Sequence, residues 1–144
     1  MSTDLPDQAE TAASMRPPRV LLYSDDSDTR SQVLLAVGRR LSRAAPEIDW
    51  VQTATHAGVL GHADAGGFDL FVFDGEAAKS GGMGLCRQLK NELFECPPVL
   101  VLIGRPQDAW LASWSLADAV VAQPLDAIEL QSVVARLLAG PATR

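Results

Sequence analysis

Apolar residues fall into short runs separated by polar, helix-forming stretches. Val20-Leu21-Leu22-Tyr23, Leu70-Phe71-Val72-Phe73, Val99-Leu100-Val101-Leu102-Ile103 and Ala119-Val120-Val121-Ala122 carry no polar interruption, and Ile48-Asp49-Trp50-Val51 is a shorter, mixed run. Runs of four or five apolar residues with no alternation are the signature of strands buried on both faces, as in a parallel sheet.

Between them the period changes to that of a helix. Val33, Leu34, Val37 and Leu41 recur at inward-facing spacing, with Arg39, Arg40 and Arg43 on what reads as a solvated helix face. Residues 55–63 form a candidate helix capped by Thr55, although Gly58 and Gly61 each cost about 1 kcal/mol relative to Ala. Gly81-Gly82-Met83-Gly84 opens a helix with Leu85, Cys86 and Leu89 inside. Asp108 stands where it would cap a short helix carrying Trp110 and Trp114 one turn apart. Asp126-Ala127-Ile128-Glu129 has capping-box spacing ahead of a final helix that buries Leu130, Val133, Val134, Leu137 and Leu138 and ends near Gly140-Pro141. Five strands alternating with helices predict an α/β three-layer sandwich around a parallel sheet with right-handed crossovers.

Composition narrows the picture. A chain of 144 residues fits one domain, able to bury about 68–70% of its unfolded surface. No apolar run approaches the ~18 residues a bilayer span needs, so no membrane insertion is expected. A formal charge of −6 gives no basic footprint for nucleic acid. Cys86 and Cys96 are too few for a zinc or CxxC site, and read as thiols in a reducing cytoplasm. His56 and His62 have no third ligand within reach and read as surface residues. Residues 1–18 are poor in large apolar groups and are expected to be a flexible tail, with the domain over 19–139 and a short tail at 140–144. No charged start followed by an apolar stretch marks a secretory signal.

The candidate chemistry centres on Asp74. It closes the apolar run that begins at Leu70 and is followed by a small-residue loop. In open α/β sheets, ligands and reactions gather at the carboxyl ends of strands. Ser24-Asp25-Asp26 follows the first strand, where it would face the same end of the sheet. No glycine-rich phosphate loop follows any strand, so nucleotide binding has no motif behind it.

Together, Ser24-Asp25-Asp26 after strand one, Asp74 after strand three and Gln123-Pro124 after strand five resemble the receiver domain of two-component response regulators, over about residues 19–139. The resemblance implies a flavodoxin-like sheet of order 2-1-3-4-5 in a stand-alone, orphan signalling protein. It also implies a phosphoacceptor at Asp74, served by a histidine kinase or a small phosphodonor, and a cis bond before Pro124. A Mg²⁺ ion would bridge Asp74 to the strand-one acids, with Ser24 on the first acid of the pair, Asp25 on the second, Asp26 one step later and the backbone carbonyl of Glu76 completing the set.

The departures from the family pattern are as informative as the matches. Its switch Thr or Ser falls on Ile103, its aromatic switch residue on Val120, its Lys on Gln123 and its loop Pro on Ala78. The segment from Ile103 to Gln123 is about two residues short, which predicts a trimmed fourth helix. Without the lysine ammonium, an acidic pocket of Asp25, Asp26 and Asp74 repels itself, so Mg²⁺ binding is expected to be weak. A missing charge-assisted contact is worth ~1.5–3 kcal/mol to a phosphoryl oxygen. The expected function is therefore an atypical, non-enzymatic receiver acting through protein–protein contacts with a histidine kinase or a non-kinase target. The resemblance places the partner face, or a homodimer contact, on the fourth helix, fifth strand and fifth helix, where Trp110 and Trp114 are the candidate contacts if they are not core.

Three alternatives stand beside that reading. One is a working phosphoacceptor on Asp74, and another is a small phosphatase using Asp74 as nucleophile, since Asp74-Gly75-Glu76 faintly resembles the paired acids of haloacid-dehalogenase-like enzymes. The third is a flavin-binding module of flavodoxin-like shape.

Overall fold

In the computed structural model, which describes residues 16–77 and 81–140, the chain alternates strand and helix from end to end. The elements are β1 (Arg19–Tyr23), α1 (Ser27–Val37), β2 (Asp49–Thr53), α2 (His56–Ala65), β3 (Leu70–Asp74), α3 (Gly82–Glu92), β4 (Val99–Ile103), α4 (Ala109–Trp114), β5 (Ala119–Ala122) and α5 (Ala127–Leu138). A 3-10 turn over Pro106–Asp108 leads directly into α4. The strands form one sheet of order β2-β1-β3-β4-β5, and every neighbouring pair is parallel.

Every residue of β3 and β4 is buried, which is why both read as unbroken apolar runs. Alternate side chains feed opposite layers. Leu21, Tyr23, Phe71, Phe73, Val101 and Ile103 pack beneath Val59, Leu85, Cys86 and Leu89 of α2 and α3. Val20, Leu22, Leu70, Val72, Leu100 and Leu102 pack beneath Val33 and Val37 of α1 and Leu130, Val134 and Leu137 of α5. The three-layer sandwich follows from those two apolar faces.

Local chemistry moves several boundaries. Helix α1 stops at Val37, because Gly38 takes a left-handed φ of 85° and donates its N–H to the Leu34 carbonyl at 2.8 Å. Leu41 and the three arginines therefore lie beyond the helix, not on its face, and Arg39 and Arg40 pair there with Glu47. Ile48 is buried just ahead of β2, which runs on to Thr53. Thr55 caps α2 as the pattern implies, its hydroxyl accepting from the Gly58 N–H at 2.9 Å. His56 and His62 are half-buried instead of freely exposed, and His62 meets Phe68 edge-on at 6.0 Å.

At the far end of the chain, Asp126 caps α5 by accepting from Ile128 two residues on, at 3.2 Å, and not from Glu129. Val133 and Leu138 are only half-buried. Asp108 is not a cap: its carboxylate takes two bonds from Arg105, at 3.0 and 3.3 Å. Helix α4 is a stub of six residues, as the shortened segment implies. Trp110 and Trp114 on it are 68% and 51% exposed, so neither is core. The calls on residues 1–15, Ala78 and Pro141 lie outside the described residues.

Candidate functional site

The parallel sheet delivers the carboxyl ends of β1, β3, β4 and β5 to one edge, and Asp74 sits in the middle of it, 3% exposed. Each of its carboxylate oxygens accepts one hydrogen bond. The hydroxyl of Ser24, which is itself fully buried, donates to Asp74 Oδ2 at 2.7 Å, and the Glu76 N–H donates to Oδ1 at 2.8 Å. Hydrogen bonds to an ionised acceptor are about twice as strong as neutral ones, which makes these two the main restraints on the acid.

Ser24 is oriented from both sides. Its oxygen accepts the Asp26 N–H at 3.0 Å, which leaves the hydroxyl proton for Asp74. Its carbonyl takes an Arg30 guanidinium N–H at 2.6 Å, and Arg30 Nε reaches Gln52 at 3.2 Å. Asp26 is the N-cap of α1: its Oδ1 accepts the Asp28 N–H at 2.9 Å. That bond turns the Asp26 carboxylate to its own helix, while Asp25 next to it is exposed.

On the other side of Asp74, the Glu76 carboxylate reaches across to the end of β4 and accepts the Gly104 N–H at 3.2 Å. Arg105 follows, and its guanidinium is held above its ordinary value chiefly by its hydrogen bonds with Asp108 and then by the charges of Asp108 and Glu76. Two glycines let this edge close. A Cβ at Gly75 would stand 2.7 Å from the Leu102 carbonyl oxygen, and one at Gly82 would stand 2.7 Å from that of Asp74. Close backbone approach therefore fixes how the loop after Asp74 meets β4 and α3.

The comparisons with known proteins now bear on this geometry. No family model matches. An uncharacterized response regulatory protein of Mycobacterium tuberculosis, found in strains CDC 1551 / Oshkosh and ATCC 25618 / H37Rv, is 51% identical over 124 residues, 86% of this chain and 93% of the relative. The chain belongs to the response-regulator receiver family.

Solved structures carry the same fold at low identity. The Francisella response regulator 1452 receiver domain superposes with a TM-score of 0.70 at 19% identity, covering 85% of this chain and 97% of that one. A two-component response regulator from Clostridium difficile gives 0.69 at 18% identity, covering 85% and 97%. The chemotaxis response regulator CheY4 of Vibrio cholerae gives 0.69 at 18%, covering 85% and 99%.

The residues on which the resemblance places the switch are set as follows. Ile103 is 1% exposed and packs in the α2–α3 layer, and its carbonyl accepts the Gln123 N–H at 2.8 Å. Val120 is half-buried against the same layer. Gln123 is half-buried, and its bond to Pro124 is cis.

For a resident Mg²⁺ the arrangement is a poor fit. Such an ion is held by one or two carboxylates and by substrate phosphates. Here both Asp74 oxygens face hydrogen-bond donors and the Asp26 carboxylate is turned to α1. Among the described residues no group of three or more His, Cys, Asp or Glu side chains is placed to hold a metal. No helix among the described residues is long and apolar enough to cross a membrane.

Three contributors escaped the sequence reading: the Ser24 hydroxyl as the partner of Asp74, Arg30 as the clamp on Ser24, and the Glu76 side chain as a tie to β4. The signal for the first was present, since a serine in place of an acid directly after strand one is a hydrogen-bond donor aimed at the end of the neighbouring strand. Arg30 and Glu76 carry no such signal, because their partners are backbone groups, the Ser24 carbonyl and the Gly104 N–H, which side-chain identity does not reveal.

Proposed function

We propose that this receiver is an atypical one, acting in the cytoplasm as a phosphorylation-independent interaction module and not as an enzyme. Receiver domains work by contact with histidine kinases and effector proteins, and here the recognition is of a protein partner without a chemical signal at Asp74. The observation that supports the reading is the pair of donors held on the buried Asp74 carboxylate. Ser24 Oγ and Glu76 N–H occupy its two oxygens at 2.7 and 2.8 Å, and the switch positions hold a buried Ile103 and an uncharged Gln123. A phosphoryl group on one oxygen of Asp74 would have to displace the donor on that oxygen and would gain neither a hydroxyl from Ile103 nor an ammonium from Gln123.

The partner face in this reading is the α4–β5–α5 side. Trp110 and Trp114 stand out from it, with the Arg87 guanidinium 4.8 Å from the Trp114 ring centroid. Exposed tryptophans beside an arginine have the composition of binding hot spots.

The test is incubation with acetyl phosphate, and separately with beryllofluoride, in the presence of Mg²⁺, followed by intact-mass measurement and NMR. The expected result is that treatment changes neither the mass nor the spectrum of the native chain, as it changes neither in Asp74→Asn. A stable adduct present in the native chain and missing in Asp74→Asn would overturn the proposal in favour of a working phosphoacceptor. Release of phosphate from p-nitrophenyl phosphate, lost in Asp74→Asn, would favour an Asp-nucleophile phosphatase.

A further inference from the structure

We infer that the end of the sheet opposite Asp74 is a self-association surface, on which Phe94 of each of two copies enters a cavity of the other. The cavity, about 240 Å³, lies at the amino-terminal edge of β3 and β4, walled by Ala63, Gly66, Gly67, Phe68, Phe71 and Pro97. Gly66 and Gly67 have left-handed φ values of 78° and 89°, so the stretch that would otherwise fill the space carries no side chains. The cavity opens to solvent and its lining is mixed polar and apolar, but its volume exceeds the ~150 Å³ that accepts a benzene ring, so it has room for the phenyl group of a phenylalanine.

The matching knob stands on its rim. After α3 the chain turns through Glu95, which holds a left-handed φ of 57° without being glycine, and Phe94 is left 91% exposed. Phe94 is the most exposed large apolar side chain among the described residues. Neighbouring Leu93 lines the cavity.

Charge selects the occupant. Glu95 lies on the rim beside Phe94, while the Arg19 guanidinium covers the ring of wall residue Phe68 at 4.5 Å and its Nη1 borders Gly67. Arg19 is also paired with Asp49 at 3.1 Å, and Asp69 next to Phe68 with Arg16 at 3.7 Å. Knob, cavity, acid and base thus belong to one face. A two-fold axis between knob and cavity seats both phenylalanines at once and brings each Glu95 toward the Arg19 of the other copy. That self-complementarity is what an isologous dimer requires, with an aromatic anchor in each pocket. The contact leaves Asp74 and the tryptophan face free, so it holds in any phosphorylation state.

Sedimentation velocity on the full chain from about 10 μM to 1 mM tests it, a range that brackets weak dimers. The native chain is expected to show a reversible monomer–dimer equilibrium. Phe94→Ala and Phe94→Asp should weaken it about 100-fold or more, because each dimer loses two buried rings. Glu95→Arg should weaken it about 10-fold, and Trp114→Ala should leave it unchanged. Phe94 is exposed, so its variants should keep the native melting temperature, which separates lost association from lost folding. A chain that stays monomeric to 1 mM, a dimer unchanged by Phe94→Asp, or a dimer abolished by Trp114→Ala would overturn the inference.

Discussion

Ser24→Ala is the most direct perturbation of the candidate site. It deletes one oxygen from a fully buried position, removing the 2.7 Å bond to Asp74 Oδ2 and the acceptor for the Asp26 N–H. A hydrogen bond to a charged group contributes ~1.5–3 kcal/mol, and a buried acceptor left without its donor costs a similar amount by itself. Asp74 is 3% exposed, so water cannot readily replace the hydroxyl. Asp26 is exposed and its N–H can turn to solvent, adding about 1 kcal/mol or less. The expected loss is therefore about 2–4 kcal/mol, or a melting temperature lower by ~8–16 °C for a domain of this size. Urea unfolding at pH 7 without divalent cations measures it, and a double-mutant cycle with Asp74→Ala isolates the pair. With the carboxylate gone, Ser24→Ala should cost at least ~1.5 kcal/mol less. Additivity of the two substitutions within ~0.5 kcal/mol would refute the reasoning, because the hydroxyl would then be stabilising something other than Asp74.

Two further outcomes follow from the same structure. Gly82→Ala should destabilise by about 1–3 kcal/mol in thermal unfolding even though alanine favours the helix by ~1 kcal/mol, because the new Cβ would meet the Asp74 carbonyl oxygen at 2.7 Å and its carbon at 2.8 Å, and backbone cannot yield as a side chain does. Burial pushes the Cys86 thiol up from 9.0 to about 11, so between those values the unfolded chain has released a proton that the folded chain keeps. Stability is then fully present below pH ~9 and falls by up to ~1.4 kcal/mol per unit as pH rises toward 11, a slope that Cys86→Ala should flatten in melts at pH 8 and 10.5.

The sheet was legible because its central strands are buried on both faces and leave no other reading for runs such as Val99–Ile103. The ends of helices were less so. Arg39, Arg40 and Arg43 keep helical spacing, yet one glycine at 38 ends α1 before them, and periodicity does not register a single left-handed residue. The position of Asp74 was legible from strand logic alone. Its partnership was not: Asp25 and Asp26 looked like its company because acids after strand one point to the same edge. A backbone N–H at Asp28 claims the Asp26 carboxylate, whereas the hydroxyl of Ser24 is the group that meets Asp74. Competition between a cap and a site is decided by distances of a few tenths of an ångström, which spacing in a sequence does not encode. The exposure of Trp110 and Trp114 was open for a related reason, since a six-residue helix has too few turns to display which face is apolar.

On the proposed reading, in which positions 24 and 123 are those of the family's acid and lysine, the serine at 24 and the glutamine at 123 are two parts of one electrostatic solution. An acid at position 24 would be fully buried against an Asp74 that is 3% exposed, with no lysine ammonium at 123 to balance the pair. Two carboxylates at about 4 Å repel by ~4 kcal/mol at an effective dielectric near 20, a large fraction of what holds a small domain folded. A bound cation or a lysine removes that repulsion, and so does replacing one acid by a neutral donor. The chain carries the third arrangement: Ser24 presents a proton to Asp74 where another acid would present a charge. In that reading, a position 123 without an ammonium favours a hydroxyl over a second acid at position 24. On the same reading, restoring a single member of the ordinary set would strand the others, since Gln123→Lys would leave Ser24 donating to Asp74 and Ile103 buried as a hydrocarbon.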